Sequence, residues 1–111
     1  MARKLQHDVG KDQRGRLLID AYITLVESGD TRAEDTNTDV IATVTPIGRD
    51  EYAAAGEKGM KARYMFEVYA NEYANHDVVL YNDERLVVYR TYGPKANDKV
   101  EIYAGQRVGN R

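Results

Sequence analysis

Cysteine and tryptophan are absent from the 111-residue chain, and it has one serine and two histidines. Without cysteine it can form no disulfide, thiolate nucleophile or cysteine metal site, which suits a reducing cytoplasm. A hydrolytic triad would need Ser28 with His7 or His76, and none of these lies in a recognisable catalytic motif. We therefore expect no enzymatic activity, no cofactor and no metal site, and we expect both histidines to be solvated.

Long apolar runs and a strong net charge are also missing. No stretch approaches the length needed to cross a membrane, and the N-terminus lacks the apolar core of a signal peptide. The formal net charge is -2, which provides no overall attraction to DNA or to anionic lipid. We expect a cytoplasmic chain that has no membrane contact and touches nucleic acid only locally.

Tyrosine is abundant, with nine residues against one phenylalanine. Its ring buries area while its hydroxyl reaches water, so it suits both sheet faces and protein interfaces. Tyrosines and arginines on strands could also form a stacking platform for single-stranded nucleic acid, which is one alternative function. Strand parity argues against it, because Tyr64 and Tyr69 fall on opposite faces, as do Tyr89 and Tyr92.

Alternating apolar and polar residues predict six strands joined by short turns. They span residues 17–26, 40–46, 64–73, 78–81, 85–92 and 99–104. In the first strand the core face is Leu17, Ile19, Ala21, Ile23 and Leu25. Asn82 and Asp83 form the best hairpin signal. The pattern predicts a mainly β fold, a small antiparallel barrel or sandwich, with one short helix and a long loop excursion.

The excursion spans residues 48–62, after Pro46 ends a strand. Helix formers at residues 49–55 predict about two helical turns, with Asp50 and Glu51 at the positive end of the helix dipole. Gly56 is placed as the C-cap, and residues 56–59 as a mobile joint. The glycines predicted to act as hinges are Gly48, Gly56 and Gly59.

The remaining residues are assigned to the ends of a single domain, residues 17–104. Residues 1–16 are predicted to be a flexible N-terminal arm, and residues 105–111 a C-terminal tail. The arm carries five basic residues, Arg3, Lys4, Lys11, Arg14 and Arg16. A frayed terminus explains it most simply.

The order of these elements resembles the head-closure, or head-to-tail joining, proteins of long-tailed bacteriophages. In that family a strand ending in Val-x-Pro leads into a helix with a Glu-Tyr pair, a loop and a tyrosine-containing strand. The corresponding elements are Val44-Thr45-Pro46, Glu51-Tyr52, residues 56–61 and residues 64–73. The resemblance extends along most of the chain.

This resemblance implies a virion structural protein at the head–tail interface, made in the host cytoplasm. It would form a homo-oligomeric ring, a dodecamer in the virion, between a head–tail adaptor and a tail terminator or other tail protein, and could be a monomer in isolation. Double-stranded DNA would pass through the channel, and the excursion would face it and help retain that DNA. Carried over by position, the contact candidates are Arg49, Glu51, Tyr52, Lys58 and Lys61.

Two further expectations follow from the resemblance. The basic arm could order against the acidic surface of a neighbouring subunit. The remaining alternative function is another component of the phage tail ring, such as a tail terminator. An adaptor should be mostly helical, and the strand-rich pattern argues against it.

Overall fold

The computed structural model describes residues 6–11, 17–31 and 34–108. Its strands are β1 (Gln6–Lys11), β2 (Leu17–Glu27), β3 (Thr36–Pro46), β4 (Met60–Tyr69), β5 (Val78–Tyr81), β6 (Glu84–Tyr92) and β7 (Lys99–Arg107). The helix α1 (Arg49–Glu57) connects β3 to β4, and a short 3-10 turn, Ala70–Glu72, follows β4.

Six of these strands close into an antiparallel barrel in the order β2-β3-β4-β7-β6-β5, with β5 pairing back onto β2. The closing contact is short, running from Thr24 opposite Leu80 to Val26 opposite Val78. The predicted mainly β fold is therefore confirmed, and the choice between barrel and sandwich resolves to the barrel. Closure pairs most strand edges within the molecule, which removes exposed templates for aggregation.

The seventh strand, β1, lies outside the barrel, against the first half of β2. Gln6 pairs with Ala21 and Lys11 with Leu17. The arm predicted for residues 1–16 thus contains a strand at residues 6–11, because backbone pairing with β2 can order even a polar segment. The rest of that predicted arm lies outside the described residues.

The barrel interior is filled by alternate side chains of every barrel strand. Ala21, Ile23 and Leu25 of β2 are buried, which confirms this part of the predicted core face. The largest side chains with almost no exposure include Phe66, Leu86 and Ile102. Tyr64 and Tyr81 pack around Phe66 with ring centroids 5.1–5.8 Å apart. This interior cluster carries most of the apolar burial.

Several predicted boundaries are corrected by the pairing. The third predicted strand begins at Met60, inside the expected excursion, and ends at Tyr69, where the 3-10 turn begins. The last strand continues to Arg107, into the predicted tail, because it pairs with β4 as far as Met60. The Asn82-Asp83 hairpin is confirmed, since both residues have the positive φ of a tight two-residue turn.

Two β-bulges flank the same point of β7. On β4 the extra residue is Arg63, since Ala62 pairs with Gly105 and Tyr64 with Ala104. On β6 the extra residue is Tyr89, since Val88 pairs with Ala104 and Arg90 with Tyr103. A bulge changes which side chains face inward. Beyond these bulges the barrel presents an outer apolar patch, and α1 covers it.

Candidate partner-binding surfaces

The helix α1 packs onto the outside of the barrel through a small apolar cluster. Ala55 is its one buried residue, and it meets Met60 and Ala62 of β4. Ile47, Val87 and Tyr89 complete this cluster. Because Ala62 and Tyr64 lie opposite successive residues of β7, the Arg63 bulge turns Met60 and Ala62 outward, toward the helix.

A carboxylate fixes the first turn of α1 to the barrel. Glu51 accepts hydrogen bonds from the Arg90 guanidinium, at 2.6 and 3.2 Å, and from the Tyr89 hydroxyl, at 2.7 Å. The Arg90 geometry is bidentate and charge-assisted, which is the strongest common form of side-chain hydrogen bond. With Ala55 one helical turn later on the same face, the helix has two adjacent attachment points.

The electrostatics of this attachment follow from its geometry. The hydrogen bond from Arg90 holds the pKa of Glu51 below its ordinary value, against the opposing effect of burial, and the Tyr89 bond adds to it. Burial, followed by the bond to Glu51, raises the pKa of Tyr89. Glu51 is therefore ionised near neutral pH and Tyr89 remains a hydroxyl donor, so the attachment is complete under those conditions.

The attachment continues as a polar network across the outer face of β7. The Arg90 guanidinium lies 3.7 Å from the centroid of the Tyr103 ring, and the Tyr103 hydroxyl donates to Glu101 at 2.6 Å. Lys95 bridges Glu101, at 2.9 Å, and Glu67, at 2.5 Å. Burial and the bond to Glu101 raise the pKa of Tyr103 to about 12. This network occupies the outer face between α1 and the start of β7.

The predicted contact residues divide into two groups. Arg49, Tyr52, Lys58 and Lys61 are exposed, and Tyr52 shows 48% of its surface. Glu51 does not belong with them, because its carboxylate is turned toward the barrel and engaged by Arg90. The solvent side of α1 therefore presents one aromatic ring among small and charged residues.

The three predicted hinge glycines differ in their surroundings. Gly48 is the N-cap with extended backbone, and Gly56 lies inside α1 rather than at its C-cap. Only Gly59 has positive φ, at 79°, and its carbonyl accepts a hydrogen bond from the Val108 N–H at 2.9 Å. The predicted joint at residues 56–59 is thus a two-residue turn, Lys58 and Gly59, tied to the end of β7, because the helix runs on through Glu57.

A second surface, which was not predicted from the sequence, lies between β3 and β4 where the two strands no longer pair. The two strands pair only from Thr43 to Pro46, and a groove of about 540 Å³ opens beside the earlier part of β3. Ile41 and Tyr69 border it with 47% and 54% of their surfaces exposed. Exposed apolar side chains beside a strand edge that faces no neighbouring strand are typical of a docking surface.

The tyrosines and His76 also depart from the expectations. Tyr89 and Tyr92, which parity places on opposite faces, both lie on the outer face because Tyr89 is the bulge residue and Tyr92 pairs with Glu101. His76 is buried rather than solvated, with Nδ1 accepting the Ala74 N–H at 3.1 Å. Its ring packs against Tyr73, whose hydroxyl donates to the His76 carbonyl.

Comparisons of the chain with protein-family models, curated proteins and solved structures gave no match. Within residues 6–11, 17–31 and 34–108, no three His, Asp or Glu side chains converge as metal ligands. The same residues include no helix that is long and apolar enough to span a membrane. The candidate surfaces therefore rest on their geometry alone.

Proposed function

We propose that this chain is a head-closure protein of a long-tailed bacteriophage, a ring-forming structural component that joins the portal and adaptor to the tail. The main support for the proposal is the attachment of α1, an exposed helix held on the outside of the barrel by Glu51 and Ala55 at the position where the sequence resembles that family. Such a module can present a contact surface without contributing to the core of the barrel.

The surface chemistry of α1 supports a protein contact. Tyr52 is an exposed aromatic anchor, and aromatic residues are enriched where interfaces derive their binding energy. Arg49 and Lys58 stand near Asp50 and Glu57, so the charge around Tyr52 is mixed. Mixed charge suits a segment beside passing DNA, since strong attraction would hold the duplex in place.

The remaining alternatives draw less support from the arrangement. Of the tyrosines considered for a stacking platform, Tyr64 packs with the barrel core and Tyr89 donates to Glu51 beneath α1. Tyr69 and Tyr92 are exposed, but they lie on β4 and β6, which are separated by β7, so the arrangement offers little support for stacking of single-stranded nucleic acid. A tail terminator would use the same kind of ring contact. The two functions differ in which particles accumulate when the protein is missing.

The decisive experiment deletes the coding sequence from the phage genome that carries it and examines the particles by electron microscopy. We expect heads and tails that assemble separately and join when purified full-length protein is added to the lysate. Tails of abnormal length would indicate a terminator instead. Normal joined particles would overturn the proposal.

The same joining assay tests the role of α1. We expect Tyr52→Ser protein to join heads and tails less efficiently than the unaltered protein, because the anchor is lost. Tyr92→Ser is the matched control, since Tyr92 is a tyrosine of similar exposure, at 58%, on β6. Equal activity of the two variants would show that α1 is not the contact surface.

A further inference from the structure

One half of β3 has an unpaired edge within the described part of the chain. On one side β3 pairs with β2 from Thr36 to Val44, whereas on the other it meets β4 only from Thr43 onward. Alternate residues between Thr36 and Ala42 therefore direct backbone N–H and C=O groups away from β2 with no strand of the described ranges opposite them. An edge of this kind accepts an added strand.

The groove along this edge selects the chemistry of the added strand. Its lining includes four carboxylates, on Asp20, Asp39, Glu67 and Glu72, and one ammonium group, on Lys99. Lys99 lies over the Tyr69 ring, 5.0 Å from its centroid, and Glu67 is paired with Lys95. The Asp39 carboxylate accepts a hydrogen bond from the Thr24 hydroxyl. The acidic character of the lining therefore rests on Asp20 and Glu72, and an extended segment with basic side chains is the complementary occupant.

We propose that this groove binds residues 1–5 of a second copy of the chain as an added β-strand. The segment contains Arg3 and Lys4 next to Leu5, and thus combines two cations with an apolar residue for Ile41 and Tyr69. Five extended residues reach about 17 Å, enough to cover the roughly 13 Å of β3 from Asp39 to Ala42 that lines the groove.

The geometry favours a second copy over the same molecule. β1 lies on the opposite side of β2 from β3, so the groove is three strand spacings, about 14 Å, from β1. Residues 1–5 of the same molecule, which precede Gln6, would use nearly their whole reach in crossing β2 and β3. They could not then also run along β3. The same residues cannot continue β1 along β2 for long either, because β5 pairs with that edge of β2 from Thr24 onward.

Such a contact joins different surfaces of the two copies, and a head-to-tail contact of this kind closes into a ring when the rotation between copies allows it. The identification of this contact with the ring rests on the proposed function. The binding itself does not, since it is a property of the groove and the segment.

The test titrates a synthetic peptide of residues 1–7 into ¹⁵N-labelled full-length protein at low salt and follows the backbone amides by NMR. We expect saturable shifts centred on residues 39–42. A peptide with Arg3→Glu and Lys4→Glu should bind about two- to fivefold more weakly. Glu72→Lys protein should lose much of this preference, because the substitution removes one carboxylate from the groove and adds an ammonium group. Glu57→Lys on α1 is the matched control and should leave the preference unchanged.

Three results would overturn the inference: no shifts with about millimolar peptide, shifts centred away from β3, or equal binding of the basic and acidic peptides. None of them bears on head–tail joining, which the deletion experiment measures separately. If the deletion gave normal joined particles and peptide binding was still charge-selective, the inference of self-association would stand and the proposed phage function would be rejected.

Discussion

The barrel interior and the cluster beneath α1 are both apolar, but they are held in different ways. The interior combines Phe66, Leu86, Ile102 and side chains from every barrel strand, with exposure close to zero. The cluster beneath α1 contains only Ala55, Met60 and Ala62 as buried residues, next to a single bidentate carboxylate. Burial of large side chains stabilises far more than burial of alanine.

From this difference we expect α1 to detach from the barrel without unfolding it. Short helices are marginal alone and depend on packing for stability, and here the packing is small. The free energy that opens α1 should therefore be well below the global free energy of unfolding.

We expect Ile23→Asp to unfold the domain. The side chain is 2% exposed, so the new carboxylate would be buried without a partner, at a cost of at least about 4 kcal/mol. Ile41→Asp is the matched control on the neighbouring strand, where 47% exposure limits the loss to about 1 kcal/mol. Circular dichroism during thermal unfolding distinguishes them, and a folded Ile23→Asp protein would contradict the assignment of the core.

We expect Glu51→Gln to release α1 while leaving the barrel intact. Losing the charge weakens the bonds from Arg90 and Tyr89 by about 1–2 kcal/mol, which corresponds to roughly tenfold faster amide exchange in α1. Asp50→Asn, at an exposed neighbouring position, should change α1 exchange much less, because it removes only an interaction with the helix dipole. If the thermal midpoint of the whole domain fell together with α1 protection, the two regions would not be separable.

Acid should act on the same attachment. The folded pKa of Glu51 is lowered, so its stabilisation is complete above the unfolded value of about 4.3 and is lost as pH falls through the folded pKa. Methyl NMR of Ala55 and Met60 between neutral pH and pH 2 should report release of α1 before any change in the Leu86 methyls. In Glu51→Gln protein this early step should disappear, and a simultaneous change of all three would argue against independent release.

The smallest effects should come from two glycines near α1, with opposite signs. Gly59→Ala forces a side chain into left-handed backbone at a cost of about 1 kcal/mol. Gly56→Ala adds a methyl group in open space inside a helix and should stabilise by up to about 1 kcal/mol. Urea unfolding of the single variants compares them. If both substitutions destabilised the protein, the result would favour the prediction that the two glycines act as hinges.

Much of the barrel was predictable because its strands alternate cleanly and end at recognisable turns. Pro46 marks the end of β3, and Asn82-Asp83 supplies the residues that a tight hairpin requires. The pairing of β1 with β2 was not predictable, since four of its six residues are polar and a fifth is glycine. Closure of the barrel through three residue pairs of β5 and β2 is a tertiary event without a local signal.

The site was harder to predict because bulges break parity. Residues 60, 62, 64, 66 and 68 share one face in a regular strand, yet the first two belong to the helix cluster and the others to the core. Glu51 and Arg90 are 39 positions apart, so their bond also leaves no local pattern. The resemblance selected Glu51 and Tyr52 together, and it could not show that Tyr52 is exposed whereas Glu51 faces inward.

The place of α1 in the topology has a practical consequence for altering the protein. The helix connects β3 and β4, which are already antiparallel neighbours in the barrel, so the strand order does not depend on the length or sequence of this connection. The segment can be exchanged for another helix, provided that the replacement covers Met60 and Ala62. Substitutions on the solvent side of α1 can therefore be made without altering the residues that form the barrel core.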